Sequence, residues 1–268
     1  MQKGIPLKNL LGLEAIDCLA HNILLVYPQF DTESFRRDAL NGLEPLGILE
    51  RGKKLARTLR LYLPRKYATA IEIILASLTP PLTPTNTLGL AVFFYLPHVS
   101  FIAEYGSGFE ENDGHDPFFV SMWAQYELTK RFSAEFSMRP FLIKQQERTL
   151  SQLLEWTSDP DPHVRRLCSE STRPRLPWAA RIPAFIANPT SALPILEALK
   201  NDQDLYVRRS VANHLGDIAK DHPEFVFTIC ERWLIEATNE VKWLIRHALR
   251  HPAKKENKTA LRLRAAAK

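Results

Sequence analysis

Polar side chains recur at one position of a repeated segment in this sequence, and their types suit hydrolytic chemistry. Glu170, Asn213 and His247 each follow a valine by six residues, and Glu135 follows Thr129 by the same interval. Residues four apart share one face of a helix, so stacked helical units would bring these side chains into one row. Carboxylates in such a row could act as a catalytic cluster, for example in general acid–base catalysis.

The acids Glu135, Glu170 and Asp217 are the candidate catalytic residues of this row, since Asp217 lies one helical turn beyond Asn213. Two interpretations are open. In the first, the acids form structural ion pairs with arginines of neighbouring helices. The candidate partners are Arg131, Arg139, Arg166 and Arg173. In the second, the acids form a catalytic cluster that faces a concave groove. Spacing alone does not decide between them.

Residues 165–181 form a second candidate site, because they combine five arginines with Glu170 and Trp178. Arginine makes bidentate contacts to phosphate, and the face of a tryptophan stacks on a base or a cation. Pro174 and Pro177 prevent a regular helix, and the charges need water or partners. We expect a ligand-facing loop here.

The third candidate is the segment that holds Trp243, Arg246 and His247, together with the basic residues after it. A tryptophan at this repeat position fits the helix core as well as a binding surface. The last residues, 251–268, are expected to form a flexible basic tail that adds nonspecific attraction to a polyanion.

Composition excludes several classes of protein. The three cysteines are far apart, which argues against a disulfide framework or a zinc knuckle and favours a cytoplasmic protein. Nucleotide-binding glycine loops, the G-x-S-x-G elbow and the H-E-x-x-H helix are absent from the sequence. We therefore expect neither a metal nor a cofactor. Residues 1–6 do not resemble a signal peptide, and the apolar residues 88–103 are too few to span a bilayer, so we read them as a buried segment.

The net charge of +5 comes from the end of the chain. The segment from Arg250 onward holds seven of the 35 basic residues and one of the 30 acidic residues. The rest of the chain is therefore about neutral. A protein of this composition could bind nucleic acid only if its positive charge were sorted onto one face.

The elements that must position these residues are helices. The phrase D-P-H-V-R-R at residues 161–166 returns as D-L-Y-V-R-R at 204–209, and each copy precedes a run compatible with a helix. Self-similarity of this kind is typical of stacked repeats that share one core. Intervals of 35 residues from Arg131 to Arg166 and of 43 from Arg166 to Arg209 lie in the range of two-helix HEAT-type units. We predict an all-α, HEAT-like helical repeat solenoid over residues 1–250.

Local signals mark where the helices begin and end. Asp161 before Pro162 and Asn188 before Pro189 predict helix starts, and residues 221–224 resemble an acidic capping box. Further upstream, apolar spacing predicts two helical segments from Ser34 onward, separated near Pro45, and another at 68–78. Residues 106–117 are rich in glycine and acids and predict an exposed loop.

Three long strings carry a resemblance to a known family. They are YELTKRFSAEFSMRPF at residues 126–141, VRRLCSESTRPRLPW at 164–178 and YVRRSVANHLGDIAKDHP at 206–223. These strings resemble the HEAT-like-repeat DNA glycosylases that excise alkylated bases, in the AlkC branch of the AlkC/AlkD superfamily. The likeness runs from about Pro6 to about Arg250.

The resemblance implies a function and its site. Such enzymes hold double-stranded DNA in the concave face of the solenoid and remove cationic bases of the 3-methyladenine and 3-methylcytosine type, without a metal and without an obligate protein partner. The family's acidic site maps onto Glu135, Glu170 and Asp217, with Arg173 and Trp178 beside them. Glu135 or Asp217 would be the principal catalyst, while Glu170 would contribute to the electrostatic field of the site and help to position the water molecule.

The resemblance also implies residues that contact DNA. The phosphate-facing candidates are Arg165, Arg166, Arg208, Arg209 and Arg246, to which Trp243 is added as an aromatic contact. Some of these arginines would instead form ion pairs between repeats. Some family members carry an immunoglobulin-like module after the repeats, where this sequence has the basic residues 251–268. A HEAT-like scaffold that binds DNA or a protein without catalysis is the alternative.

Overall fold

The computed structural model describes residues 6–81, 89–108 and 114–268. Within these ranges the chain forms sixteen α-helices and no strand, which confirms the all-α prediction. Contacts divide the chain into two compact units, Met1–Ser137 and Met138–Lys268, and the division falls inside the seventh helix. Each unit has its own buried apolar residues.

The helices of the first unit, with α7 shared at its end, are α1 (Leu13–Val26), α2 (Thr32–Leu40), α3 (Ile48–Tyr62), α4 (Tyr67–Ala76), α5 (Leu96–Tyr105), α6 (Phe118–Thr129) and α7 (Glu135–Lys144). Those of the second unit are α8 (Gln146–Glu155), α9 (Pro162–Ser171), α10 (Pro183–Ala187), α11 (Leu193–Leu199), α12 (Leu205–Ile218), α13 (Pro223–Leu234), α14 (Asn239–Ala248), α15 (Arg250–Lys254) and α16 (Lys258–Ala266). Short 3-10 helices cover Leu7–Leu11, Gly89–Tyr95, Trp156–Ser158 and Pro189–Ala192.

In the first unit, α3 packs along α5. The two helices approach closely at Gly52, where a Cβ atom would lie 2.6 Å from Leu96 Cγ. Leu55 and Leu59 bury the same side of α3. The segment read as buried in the sequence, 88–103, includes most of α5, and its described residues include fully buried Val99. The predicted loop at 106–117 is described only in part, since residues 109–113 lie outside the described ranges.

The first helical segment has the length and hydropathy of a membrane-spanning helix. Leu7–Val26 is the one stretch of the described residues that meets both criteria. Ile16, Leu19 and Ile23 on its α1 part are buried in the first unit. A core helix of a water-soluble protein meets the same criteria, so this stretch is weak support for a membrane role.

The second unit is built around three neighbouring helices, with α12 packed between α9 and α14. The repeated valines Val164, Val207 and Val241 are all buried, as equivalent repeat positions should be. Asp161 caps α9 as predicted, because its Oδ1 accepts a hydrogen bond from the backbone amide of His163 at 2.8 Å. The repeat phrases therefore place α9 and α12 in register.

Two local predictions for the second unit are wrong. Residues 221–224 do not form a capping box: α13 has no side-chain cap, since the Asp221 carboxylate binds Arg175 Nε and Nη2 at 2.7 Å each. The predicted flexible tail is helical. Ala260 and Leu263 of α16 are buried, and α16 packs against α13 and α14. Apolar residues spaced along the tail supply this packing.

Candidate active site

Arg173 joins two of the predicted acids. The residue follows α9, and its Nη1 donates to Glu170 Oε1 at 2.7 Å. Its Nε and Nη2 both contact Asp217 Oδ2 at 2.8 Å. All three side chains are buried. One guanidinium is therefore shared by carboxylates from two helices of the repeat row, which the several donors of arginine allow.

Glu170 is surrounded by donors. Its Oε2 accepts a hydrogen bond from Ser210 Oγ of α12 at 2.6 Å, and Arg166 Nη2 lies 3.5 Å from Oε1. Burial would raise the pKa of Glu170, but the charges of Arg166 and Arg173 and the Ser210 hydrogen bond outweigh it, so the pKa lies below the ordinary 4.5. Glu170 is therefore ionised at neutral pH.

Asp217 has a second cationic partner. Lys220 Nζ, one turn later on the chain, lies 2.8 Å from Asp217 Oδ1, so each carboxylate oxygen faces a different cation. The Lys220 side chain is 42% exposed while that of Asp217 is 5% exposed. Lys220 thus stands between the buried acid and solvent, at one edge of a groove of about 590 Å³ that Arg175, His251 and Lys255 also line.

The predicted ligand-facing loop follows Arg173, and its two ends are joined by a backbone hydrogen bond. The backbone amide of Ile182 donates to the carbonyl of Pro174 at 3.3 Å. Buried Arg139 binds the chain at both ends of this loop. Its Nη1 donates to the carbonyls of Ser171 and Arg173 at 2.8 and 2.6 Å, before the loop, and its Nε donates to the carbonyl of Ala180 at 2.7 Å, near the end of the loop.

Trp178 lies in this loop with its side chain largely in solvent. The residue is 64% exposed and has a backbone φ of 65°. That left-handed conformation is unfavourable for a bulky residue and is sustained only where the surrounding structure imposes it. Leu176 and Ile182 anchor the loop in the core on either side. The loop therefore exposes a large aromatic side chain, and the role of Trp178 as a ligand contact stays a prediction.

The row of polar positions continues onto α14. His247 Nε2 lies 3.2 Å from Asn213 Oδ1, and Arg250 Nη2 donates to the same oxygen at 2.8 Å. Trp243 stacks on the His247 ring with centroids 5.0 Å apart. Asn213 and His247 therefore meet as the repeat spacing predicts, and Arg250 adds a cation that the sequence analysis had not assigned to the row.

Three of the arginines predicted to face phosphate are engaged within the protein. Arg165 is buried and binds Asp202 through Nε at 2.6 Å and Asp204 through Nη2 at 2.6 Å. Arg208 donates to the carbonyls of Asp202 and Gln203. The third, Arg246, donates from its guanidinium to the backbone carbonyl of Ala267. Arg165 thus belongs with the ion pairs between repeats.

The other two predicted arginines differ in exposure, since the Arg166 side chain is only 17% exposed while Arg209 is exposed. Arg166 lies over the half-exposed ring of Tyr206, 4.9 Å from its centroid. Arg209 is exposed and has no ion pair or hydrogen bond with any residue that the structure describes. Of the five predicted arginines, Arg209 is therefore the one most available to a phosphate.

Glu135 begins α7 and lies in the first unit, where it is buried. The sequence placed Arg131 four residues before it as a partner. Arg131 instead binds Glu127, with Nη1 3.1 Å from Oε2, and its Nε donates to the carbonyl of Thr79 at 2.5 Å. The membership of Glu135 in the catalytic row remains a prediction.

Sequence reasoning missed Arg139 as a loop anchor, Ser210 as a donor to Glu170 and Lys220 as a partner of Asp217. The i,i+3 spacing of Asp217 and Lys220 was the one available signal. Among the residues that the structure describes, no group of three or more histidines, cysteines and acids is placed to hold a metal ion.

Comparisons with known proteins give one consistent result. A family described as DNA alkylation repair enzyme matches residues 132–258. YhaZ of Bacillus subtilis (strain 168) is 36% identical over 258 residues, which are 96% of this chain and 67% of YhaZ. The solved structure of Pseudomonas fluorescens alkylpurine DNA glycosylase AlkC, bound to DNA containing an abasic site analog, matches with a TM-score of 0.84 and 37% identity. That match covers 97% of this chain and 68% of the AlkC chain. It confirms the predicted HEAT-like repeat fold.

Proposed function

Since this chain belongs to the family of DNA alkylation repair enzymes, in its AlkC-type branch, we propose that it hydrolyses the N-glycosidic bond of cationic alkylated bases in double-stranded DNA. The proposed substrates are bases of the 3-methyladenine and 3-methylcytosine type. The observation that carries the proposal is the sharing of Arg173 by two buried carboxylates from α9 and α12.

The proposed reaction requires two things of the protein: negative charge close to the sugar, and correct positioning of the base, the sugar and the attacking water. Alkylation at a ring nitrogen makes the base a good leaving group, because the electron pair of the breaking C1′–N bond neutralises the cation. The sugar passes through an oxocarbenium-like state that a carboxylate stabilises. Water then adds its oxygen to C1′ and releases a proton to a carboxylate or to solvent. The products are the neutral alkylated base and an abasic site.

The roles of the acids follow from what surrounds them. A carboxylate must be ionised to stabilise a cation, and the low pKa of Glu170 meets that requirement. Asp217 has its two oxygens oriented by Arg173 and Lys220, as a preorganised group should be. We assign the principal catalytic role to Asp217 or Glu135. Glu170 has a supporting role, in which it contributes to the electrostatic field and helps to position the water molecule. Trp178 would hold the cationic base through its ring face.

Release of free base from methylated duplex DNA tests the proposal. The protein should release 3-methyladenine well above the spontaneous rate, and release should persist in EDTA. Product formation that ceases in EDTA would contradict the proposed metal-independent reaction. Tight binding of damaged DNA without any released base would favour the non-catalytic scaffold instead.

Substitution of single acids tests the assignments. Asp217→Asn and Glu135→Gln should lower single-turnover excision by about 100-fold or more while the helical circular dichroism is retained. Glu197→Gln is the matched control. Glu197 is half-buried and binds Lys200 at 2.9 Å, outside the Arg173 cluster. Normal excision by both variants would refute the assigned roles even if the activity itself is found.

A further inference from the structure

A cationic groove on the first unit takes no part in the proposed chemistry. The exposed face of α3 lines a cavity of about 770 Å³ together with Tyr105. The cations at its wall are Lys53, Lys54, Arg57 and Arg60. Among the described lining residues Glu50 is the one acid. The groove lies outside residues 132–258, the segment that the family match covers.

The cations of this α3 groove are held in a line. Lys53, Arg57 and Arg60 share one face of α3, and α3 is fixed against α5 at Gly52 on another face. A rise of 1.5 Å per residue separates the first and last of them by roughly 10 Å along the axis. Each DNA strand carries one phosphate per about 3.4 Å of duplex axis, so a line of this length can face more than one phosphate. Cations in a line suit a linear polyanion better than a single small anion.

The charges of the α3 groove are available to a ligand. Lys53 is exposed and has no ion pair or hydrogen bond within the described part of the chain. Arg57 binds Glu104 at 2.9 Å, but its side chain is 65% exposed, and ion pairs at such exposure are weak. Lys54 donates to the backbone carbonyl of Asp38 at 3.1 Å, which leaves its positive charge in place.

Groups beside these cations favour an anionic ligand. The one acid, Glu50, has Oε2 turned to the backbone amide of Gly47 at 2.9 Å, where it caps α3. The Arg60 guanidinium lies over the Tyr105 ring, 5.6 Å from its centroid, and donates to the carbonyl of Pro64 at 2.9 Å. The groove therefore supplies the local sorting of positive charge that the near-neutral composition of the chain demands.

We propose that the α3 groove binds the sugar-phosphate backbone of duplex DNA, independently of sequence and of damage. The inference rests on the proposed function in one respect, namely that DNA is the polyanion. Its experimental signature is a salt dependence of binding, because each phosphate neutralised releases condensed counterions.

The double variant Lys53→Ala/Arg57→Ala tests the inference with an undamaged duplex. Fluorescence anisotropy over a series of salt concentrations should show affinity lower by about tenfold or more at low salt and a log–log salt slope smaller by about 2. The control is Arg36→Ala/Arg37→Ala on α2 of the same unit, because neither arginine lines the α3 groove. This control removes the same charge and should change affinity by less than about twofold.

The charge-conserving variant Lys53→Arg/Arg57→Lys separates charge from folding. It should bind as the wild type does, and its failure to bind would overturn the inference. An unchanged affinity and salt slope in the double alanine variant would overturn it as well. Single-turnover excision at saturating protein should survive in that variant. The wild type could bind duplex DNA with the expected salt dependence, and the double alanine variant could weaken it, while no base is excised. That result would contradict the proposed function but would support the assignment of the α3 groove as a DNA-binding site.

Discussion

Arg173 donates its Nε hydrogen to Asp217 Oδ2 at 2.8 Å, and its Nη2 lies 2.8 Å from the same oxygen. The pair joins the end of α9 to α12 inside the second unit, where both side chains are buried. A buried ion pair of this kind contributes little net stability but is costly to break from one side. It fixes a carboxylate that the proposed reaction uses.

Removal of Arg173 should therefore destabilise the protein. Arg173→Met leaves Glu170 and Asp217 buried without their shared cation, which predicts a loss of about 3–5 kcal/mol in the free energy of unfolding. Urea denaturation measures it. Arg175→Met is the control, because the Arg175–Asp221 pair is more exposed and should contribute much less to stability. Equal losses in the two variants would contradict this assignment.

The buried His214 predicts how stability depends on pH. Burial, helped by the charge of Arg173, lowers the pKa of His214 from 6.5 to about 3. The unfolded chain therefore binds a proton at this site between these values while the folded chain does not. By linkage, stability falls as pH drops below 6.5, with a slope from His214 of up to about 1.4 kcal/mol per pH unit.

His214→Gln should remove that slope. Urea unfolding of the variant and of the wild type between pH 6.5 and pH 4.5 measures this effect. The range stops at the ordinary pKa of Glu170, so that Glu170 stays ionised in the folded protein. The stability difference between the two proteins should shrink as pH falls. A constant difference would show that the pKa of His214 is the same in the folded and the unfolded chain. His222→Gln is a control, since His222 is less buried.

Trp178 should contribute to activity without contributing to stability. Trp178→Gly relieves a left-handed backbone conformation at a largely exposed residue, so the free energy of unfolding should stay the same or rise by about 1 kcal/mol. Excision should fall by about tenfold or more because the aromatic contact is lost. Thermal unfolding and single-turnover assays measure the two effects. Wild-type excision by this variant would exclude Trp178 from the site.

Arg165 and Arg209 should have opposite phenotypes. Arg165→Met leaves the buried carboxylate of Asp202 unpaired and should cost about 3–5 kcal/mol of stability. Arg209→Ala removes an exposed cation and should leave stability within about 0.5 kcal/mol while reducing the salt slope of DNA binding by about 1. Denaturation and anisotropy titrations distinguish them. A loss of stability in Arg209→Ala would place that side chain among the structural residues.

The repeat architecture was predictable because its signals are local. Valines at a fixed position, the Asp161 cap and proline stops set the register of α9 and α12, and Val164 and Val207 are buried as that register requires. Asn188 likewise caps the turn at Pro189 through the backbone amide of Thr190 at 3.0 Å. Helical periodicity therefore determined where the polar row would lie within the second unit.

The partners of the site residues were not predictable from spacing. Asp221 binds Arg175, 46 residues away in sequence, rather than capping its own helix. Arg139 reaches a carbonyl 41 residues away, a contact that exists only after the loop has folded. Such choices depend on tertiary distance, for which a single sequence carries no signal. The catalytic roles of Glu135, Glu170 and Asp217 likewise remain predictions that the experiments above decide.

The closure of the loop that carries Trp178 has a thermodynamic consequence. Arg139 and the Ile182–Pro174 hydrogen bond restrict the loop before any ligand arrives. A base that stacks on the indole would therefore not have to immobilise a flexible segment, and little conformational entropy would be lost on association. Calorimetry of binding to a damaged duplex would show this as a small entropic penalty from the protein.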